Sequence, residues 1–472
     1  MTTPFFDRRI VRAIGWAILL SVFVSGIIGG LRRGQKDQPD WRSFVEESRY
    51  AWEHHAIAPD TGMFGYLPST YFALWPFTVW SPKPIGLYAF VLANTLAALA
   101  SWWILAKWWL PSGKLLRPAA IVWPVFLTVG HFQHVLQANQ FTIWVLLLCI
   151  AGLTLLLNRR DFTGGLLLGL AGCIKVTPFA FAFYFILRRQ WRALAGMTLA
   201  FVAFDVLPSI AFFGPQGAME QHRQWTQRVE WYSNTRFIED PWLRVLRHGH
   251  NCSLSVVLTR WLRSPPDATT QVVLHGSPPP EVIEQARNDL KPDEHLTLDP
   301  MPEPEKLWSM RRHDLSDPSV APRWHLASLS AQSVKLIWFA IMAVTLGSLA
   351  LTTLKCRKTR AGEASWTGEA ALWLMISLWP SPMMRDYYLV LMLPAFVIVW
   401  RTVISTFANS TRRLGPCLAL CSIVLCYAGV WLLWWEFGNW YGLHLVSFIG
   451  LALATAWPWG ASIHAPSQCS AR

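Results

Sequence analysis

Long apolar segments, most of them separated by short polar ones, recur along the whole chain. Many are close to the roughly 20 residues that a helix needs to cross a bilayer. In lipid, backbone polar groups must be satisfied within the segment, so each one is predicted to be a helix. The pattern therefore predicts an all-α polytopic membrane protein with about ten transmembrane helices. The predicted spans are 10–31, 85–106, 118–134, 140–157, 193–213, 333–354, 365–380, 387–402, 416–435 and 442–459.

Two polar regions, 32–84 and 214–332, are much longer than the others. Basic residues in short loops mark the cytoplasmic side of a membrane protein. Their positions place the N-terminus in the cytoplasm and both long regions on the other face. The run 10–31 is too long for a typical signal peptide and is predicted to remain as the first helix. The residues that set this orientation are Arg8, Arg9, Arg12, Lys107, Lys114, Arg117, Arg159, Arg160, Lys355, Arg357, Lys358, Arg360, Arg401, Arg412 and Arg413.

The segment 161–187 does not fit a simple count of spans. Basic pairs at 159–160 and 188–189 both have a cytoplasmic character, yet the segment between them is too short for two crossings. Pro178 disfavours helix at the residue before it, and Gly172 loosens the preceding turn. We expect a re-entrant helical hairpin with Lys175 near its tip. The alternative is a single kinked span, which would move 214–332 to the cytoplasm.

The stretch 264–320 differs in composition from the rest of the chain. It contains 11 acidic residues, 5 basic residues and ten prolines. Such a composition predicts a poorly ordered segment or a small accessory insertion. The domain prediction is one membrane domain over 1–472, with amphipathic helices in the first external loop, 32–84, and this insertion in the long external loop, 214–332.

Composition narrows the function classes. The chain is 53% hydrophobic and 15% charged, against about 25% charged for soluble proteins, which excludes an ordinary soluble enzyme. Its 29 tryptophans suit membrane interfaces and contacts with sugar rings. The net charge of +13 is expected of cytoplasmic loops, so we expect no nucleic-acid partner. Without a CxxC or Cys/His cluster, we expect no disulfide framework, metal site or cofactor.

A carboxylate follows the first span at Asp40. Beside a membrane, with amphipathic helices after it, such a carboxylate suits a general base that faces a lipid-linked substrate. Asp40 could instead cap a helix that begins at Trp41.

Lys175 is an ionisable residue between two apolar stretches. Burial of a charge there is costly, which indicates function, and its natural ligand is an anion such as phosphate. Asn139 and Gln140 stand at the start of a span, where their amides could bind sugar hydroxyls or satisfy the helix end. Arg385 could hold a phosphate or pair with Asp386.

Five stretches of the chain together form a recognisable pattern. They are Asp40 with Tyr66-Leu67-Pro68, then Asn139-Gln140, Gly164 to Pro178, Arg188-Arg189-Gln190-Trp191-Arg192, and Asn251-Cys252-Ser253-Leu254. These stretches resemble glycosyltransferase family 87, the polyprenol-phosphate-mannose-dependent alpha-1,2-mannosyltransferases of the GT-C superfamily. The segment after Ser381-Pro382 departs from that family, because Tyr387 and Tyr388 stand where relatives often carry histidine.

The resemblance implies a GT-C-like helical bundle that takes a hexose, mannose by family, from a polyprenyl-phosphate-sugar donor and gives it to a lipid or glycan acceptor with inversion. It implies Asp40 as the general base and Lys175 as the residue that holds the donor phosphate. It further implies that sugar or phosphate is oriented by Asn139, Gln140, Tyr66 and Asn251.

Two other function classes remain open at this stage. One is a transporter or flippase of a lipid-linked substrate, although transporters favour paired broken helices in two repeats, and only one broken element is predicted. The other is a structural subunit of an envelope-assembly complex. The apolar pattern predicts a multi-pass protein. The resemblance, together with the absence of eukaryotic targeting signals, implies a bacterial inner membrane, with the site facing the periplasm.

Overall fold

The computed structural model describes residues 9–36, 39–56, 66–109, 117–234, 253–263, 270–276, 278–299, 308–314, 326–358, 364–378 and 386–399. Among them, helices form nearly all of the membrane part. The helices are α1 Arg9–Gln35, α2 Pro39–His54, α3 Ser69–Thr78, α4 Lys83–Ile104, α5 Arg117–Gln137, α6 Thr142–Leu157, α7 Asp161–Ile174, α8 Ala180–Arg188, α9 Trp191–Phe201, α10 Leu207–Asn234, α11 Leu254–Leu262, α12 Pro280–Asn288, α13 Ala331–Lys355 and α14 Ala364–Ile376.

The predicted polytopic helical fold is confirmed. Within the described residues, four helical stretches are long and apolar enough to cross a membrane: Gly15–Gln35, Lys83–Trp109, Trp191–Gln227 and Ala331–Lys355. Shorter apolar helices lie beside them, at Thr142–Leu157, Asp161–Ile174, Thr177–Arg188 and Leu389–Val399. The predicted spans 416–435 and 442–459 lie outside the described residues.

The spanning helices bury one side and leave the other apolar and exposed. On α4, Phe90 and Ala98 are buried, whereas Leu92, Leu96 and Leu99 are exposed. An exposed apolar stripe on a helix of this length is what a lipid-facing surface requires.

Residues 161–188 form a helical hairpin. Gly165 packs against the backbone of Ala193 and Gly169 against that of Met197, while the Cys173 Sγ atom lies 3.8 Å from the carbonyl oxygen of Ala200. Contacts that advance together along α7 and α9 make these two helices parallel. The chain between them, which includes α8, must therefore return to the side where α7 began.

The alternative of a single kinked span through 161–187 is therefore wrong. With 14 residues, α7 is about 21 Å long, shorter than a hydrocarbon core of about 30 Å. The glycines at 165 and 169 lack a Cβ and so permit the close helix approach that holds the hairpin against α9. The start of α7 and the end of α8 lie on one face, and the bend lies deeper in the protein.

The first polar loop carries α2 and α3. On α2, Trp41, Phe44 and Ala51 are buried, whereas the Arg42–Glu46 pair is exposed. This is the amphipathic pattern expected for the region 32–84.

The described part of 264–320 is a small accessory unit and not a disordered segment. Strands β1 Thr270–Gly276, β2 Glu294–Asp299 and β3 Trp308–Asp314 form a sheet of order β2-β1-β3. The β1–β2 pair is parallel and joined through α12, while β3 runs antiparallel to β1. These strands are an addition to the predicted all-α class, and among the described residues they occur only in this insertion.

The second half of the chain attaches to the base of the hairpin. Arg188, at the end of α8, donates to the carbonyl oxygen of Cys356 at 2.8 Å and to Glu369 Oε2 of α14 at 3.0 Å. Both side chains of this ion pair are buried, so the pair fixes α8 to α14.

Candidate functional site at the bend of the helical hairpin

The bend follows from the chemistry of Pro178. In a continuous helix the carbonyl of Ile174 would accept from the N–H of residue 178, which proline lacks. The helix α7 instead ends at Ile174, and Lys175 is extended, with φ −141° and ψ 125°. A 3-10 turn, Thr177–Phe179, leads into α8.

The start of α3 caps the broken end of α7. Ser69 Oγ donates to the carbonyl of Cys173 at 2.8 Å, and Thr70 Oγ1 donates to that of Ile174 at 3.4 Å. Orphan carbonyls at a buried helix end need such partners. The bend is thus built jointly by α7 and α3, although they are about 100 residues apart in sequence.

Lys175 lies at this bend and is only 3% exposed. Its Nζ atom donates to Thr142 Oγ1, on the first residue of α6, at 2.8 Å. The same atom lies 5.6 Å from the centroid of the Tyr66 ring. A buried ammonium is expensive and typically marks an anion site or an ion path.

Tyr66 and Gln140 complete the cluster around Lys175. The Tyr66 hydroxyl donates to Gln140 Oε1 at 2.8 Å, and Gln140 is buried. Three residues singled out in the sequence, Tyr66, Gln140 and Lys175, therefore lie together, with Thr142 as a fourth member. We call these four residues the Lys175 cluster.

Asn139 lies in the turn between α5 and α6, with φ 52°, a conformation that asparagine tolerates better than most residues. Its Nδ2 atom donates to the carbonyl of Gly30 in α1 at 3.1 Å. Within the described part of the chain, its buried Oδ1 atom has no hydrogen-bond partner. The Nδ2 atom thus fixes the turn that carries Gln140.

The helix α2 begins at Pro39, so Asp40 lies within its first turn. Capping of a helix from Trp41 would instead require that the helix begin after Asp40. One turn later, Phe44 lies 6.0 Å from the Tyr66 ring and 5.3 Å from that of Phe141. Residues four apart share one face of a helix. The Asp40 position is therefore on the face of α2 that meets the Lys175 cluster.

The remaining predicted site residues, Asn251 and Arg385, lie outside the described residues. Among the residues that the structure does describe, no group of three His, Cys, Asp or Glu side chains lies close enough to hold a metal ion.

Sequence reasoning missed Asp205 and its partners. Its carboxylate accepts from the backbone N–H of Ser69 at 2.9 Å and lies 2.7 Å from Nε2 of His222. Asp205 is the only charged residue in the predicted span 193–213. A lone acid in an apolar run is a signal of function, and it would have identified this residue. No comparable sequence signal identifies Thr142 or Ser69.

Comparison with protein-family models matches residues 64–276 to glycosyltransferase family 87. Over these residues, the chain is similar to glycosyltransferase family 87, as the sequence resemblance predicted. The matched region contains the whole Lys175 cluster, but it begins after Asp40 and ends before Arg385. Neither the curated proteins nor the solved structures contain a match to the chain.

The family match and the apolar helices support a membrane glycosyltransferase among the function classes that the sequence left open.

Proposed function

We propose that this glycosyltransferase moves a hexose, mannose in the first instance, from a polyprenyl-phosphate donor to a lipid or glycan acceptor. The observation that carries the proposal is the buried Lys175 ammonium, held at a broken helix against Tyr66 and Thr142. A cation fixed at this depth suits an anion that arrives from the membrane. A prenyl phosphate is such an anion, because its chain lies in lipid and its phosphate at the edge.

Lys175 acts on the donor phosphate. As the bond between the anomeric carbon and the phosphate oxygen breaks, the electron pair passes to that oxygen, and the leaving group gains negative charge. A preorganised cation in a water-poor site stabilises developing charge more than water does. Thr142 holds the ammonium in place from the start of α6.

Asp40 is the general base of the proposed reaction. Its carboxylate takes the proton of the acceptor hydroxyl while that oxygen attacks the anomeric carbon from the face opposite the phosphate, so the configuration inverts. The position of Asp40, one turn before Phe44 on the face of α2 that meets the cluster, supports this role.

The amides and the phenol orient the substrates. Gln140 and Tyr66, joined by their 2.8 Å hydrogen bond, lie beside the proposed phosphate position and suit contacts with sugar hydroxyls. Asn139 has only its Oδ1 atom left for this purpose, because Nδ2 bonds to Gly30. Asn251 is proposed as a further sugar or phosphate contact, and Arg385 as a second phosphate contact.

The site is proposed to face the periplasm from a bacterial inner membrane. The parallel arrangement of α7 and α9 puts the basic pairs 159–160 and 188–189 on one face and the Lys175 bend away from it. Basic short loops favour the cytoplasm. The bend, α2 and α3 then share the opposite face, which allows Asp40 and Lys175 to act on one substrate.

Transfer of radiolabelled mannose from a polyprenyl phosphate, measured in membranes that contain the protein, tests the proposal. Asp40→Asn is expected to abolish transfer at unchanged protein level, since the amide cannot accept the proton. The matched control is Glu46→Gln, which changes an exposed carboxylate on the same helix and should keep full activity. Activity retained by Asp40→Asn would remove Asp40 as the base.

A further inference from the structure

Asp205 is a fully buried carboxylate in an otherwise apolar stretch. Its side chain is 0% exposed, and it lies in a single π turn, Val202–Val206, between α9 and α10. Single π turns inside longer helices occur frequently at functional sites. A buried carboxylate costs stability unless it is paired and hydrogen-bonded, so its partners explain why it can be there.

The first partner is His222, on α10 beyond the kink at Gly214. Its Nε2 atom lies 2.7 Å from Asp205 Oδ2, and its Nδ1 atom lies 2.8 Å from the carbonyl oxygen of Ala218. Both ring nitrogens face acceptors, so each must carry a hydrogen to satisfy them. The geometry therefore favours an imidazolium that neutralises the buried carboxylate.

The second partner is the backbone N–H of Ser69, which donates to Asp205 Oδ1 at 2.9 Å. Ser69 is the first residue of α3. The first N–H groups of a helix have no partner within it, and a carboxylate there is favoured by the helix dipole. Asp205 thus holds the start of α3 from the side of α9 and α10.

Ser69 also holds the broken end of α7. While its N–H bonds to Asp205, its hydroxyl donates to the carbonyl of Cys173. Cys173 is two residues before Lys175, and Ser69 is three residues after Tyr66. One residue therefore links Asp205 to both sides of the Lys175–Tyr66 contact.

We propose that Asp205, supported by His222, is a positioning residue that fixes the start of α3 against the bend of the hairpin. It thereby sets the spacing between Tyr66 and Lys175 that receives the donor phosphate. This inference rests on the proposed function for its activity readout. Asp205 itself does not touch substrate, because its side chain is 0% exposed and its oxygens are bonded within the protein.

A merely structural role would give a different pattern. A packing residue that holds α9 and α10 in place changes overall stability and lowers the use of donor and acceptor alike. A residue that acts through Ser69 instead affects the donor side, and its hydrogen bonds matter more than its charge. Asn at 205 keeps an oxygen for Ser69 N–H and an N–H for a neutral His222, whereas Leu keeps neither.

The kinetic test measures kcat and KM for donor and acceptor with purified protein in lipid nanodiscs. We expect Asp205→Leu to lower kcat/KM for the donor about 10- to 100-fold, the range for loss of a hydrogen bond to a charged group, with acceptor KM unchanged. Asp205→Asn should recover most of that loss. The control is Glu220→Gln, which alters an exposed pair on α10, the helix of His222, and it should match the parent.

A second readout does not depend on sugar transfer. In a variant that keeps only Cys173 of the eight cysteines, maleimide labelling of this buried thiol reports on the bend. Asp205→Leu should accelerate labelling severalfold, and Asp205→Asn and Glu220→Gln should not. Where Asp205→Leu fails to accumulate, His222→Leu, which removes the outer half of the pair, is labelled instead.

Together, the kinetic test and the Cys173 labelling distinguish a failure of the proposed function from a failure of the positioning role. If the parent protein labels slowly and the Leu variants label fast, but no mannose is transferred, the proposed function is wrong and the positioning role stands. Equal labelling of Cys173 in the parent and the Leu variants would overturn the positioning role, and so would equal losses for donor and acceptor in the kinetic test.

Discussion

Replacement of Lys175 by methionine tests the proposed contact between the Lys175 ammonium and the donor phosphate. Methionine has a similar length and no charge, so it fills the space at the bend but cannot donate to an anion. The neighbouring contact between Tyr66 and Gln140 does not involve the Lys175 ammonium. Lys175→Met should therefore leave the Tyr66–Gln140 hydrogen bond in place, while it removes the cation and its hydrogen bond to Thr142.

The size of the effect follows from the contact. A hydrogen bond to a charged group contributes about 1.5–3 kcal/mol, and each 1.36 kcal/mol is a factor of ten in rate. With Lys175 only 3% exposed, screening by water is weak, and the upper part of this range applies. We expect kcat/KM for the polyprenyl-phosphate donor to fall about 30- to 150-fold.

The assay measures initial rates in nanodiscs while the donor and the acceptor are varied in turn. Lys175→Met should lower kcat/KM for the donor and leave the KM of the acceptor unchanged, because the acceptor is not expected to contact this cation. The control is Lys107→Met, which removes a lysine that lies over the rings of Trp103 and Trp108, away from the bend. Thermal unfolding of each variant confirms that the protein remains folded.

One result would refute this reasoning directly. If folded Lys175→Met retains the donor kcat/KM of the parent protein, the ammonium does not bind the donor phosphate. A loss shared equally between donor and acceptor would also contradict it, because the cation would then act on the site as a whole.

Two further predictions concern the rest of the fold. Deletion of 264–320 with a short linker should leave a folded, active enzyme, because the backbone on either side is already joined by a 2.7 Å hydrogen bond from Leu326 N–H to the carbonyl of Trp261. Transfer activity and size-exclusion chromatography measure the outcome. Loss of both activity and a folded elution profile would show that the insertion is structural. Glu369→Ala should destabilise the protein by about 3–5 kcal/mol, because it removes the carboxylate that pairs with the buried Arg188 charge. Thermal unfolding in nanodiscs measures the change, and an unchanged Tm would show that the pair is dispensable.

The sequence predicted the spanning helices well because hydropathy is a local property. The predicted span 85–106 corresponds to α4, Lys83–Ile104, and 333–354 corresponds to α13, Ala331–Lys355. The hairpin was also predictable, because Pro178 and the flanking arginines are adjacent in sequence. The sequence alone could not decide between a hairpin and a kinked span. That decision needed the parallel contacts between α7 and α9, which are visible only in the structure.

Part of the site depended on contacts between distant segments. Gln140 and Lys175 were predicted as site residues because they are polar residues beside apolar spans, and in the structure both lie beside Tyr66. The hydrogen bond from Ser69 N–H to Asp205 joins residues 136 positions apart, and no local sequence pattern predicts it. The strands of the insertion were missed because their acidic, proline-rich surroundings resemble disordered sequence.

The most direct test of the central claim is which donor the enzyme uses. Purified protein in nanodiscs is given an acceptor membrane extract and radiolabelled mannose, carried either on a polyprenyl phosphate or on a nucleoside diphosphate. The account predicts that label moves to the acceptor only from the polyprenyl phosphate, and that Lys175→Met reduces this transfer. Transfer from the nucleotide sugar, with none from the lipid-linked sugar, would contradict it.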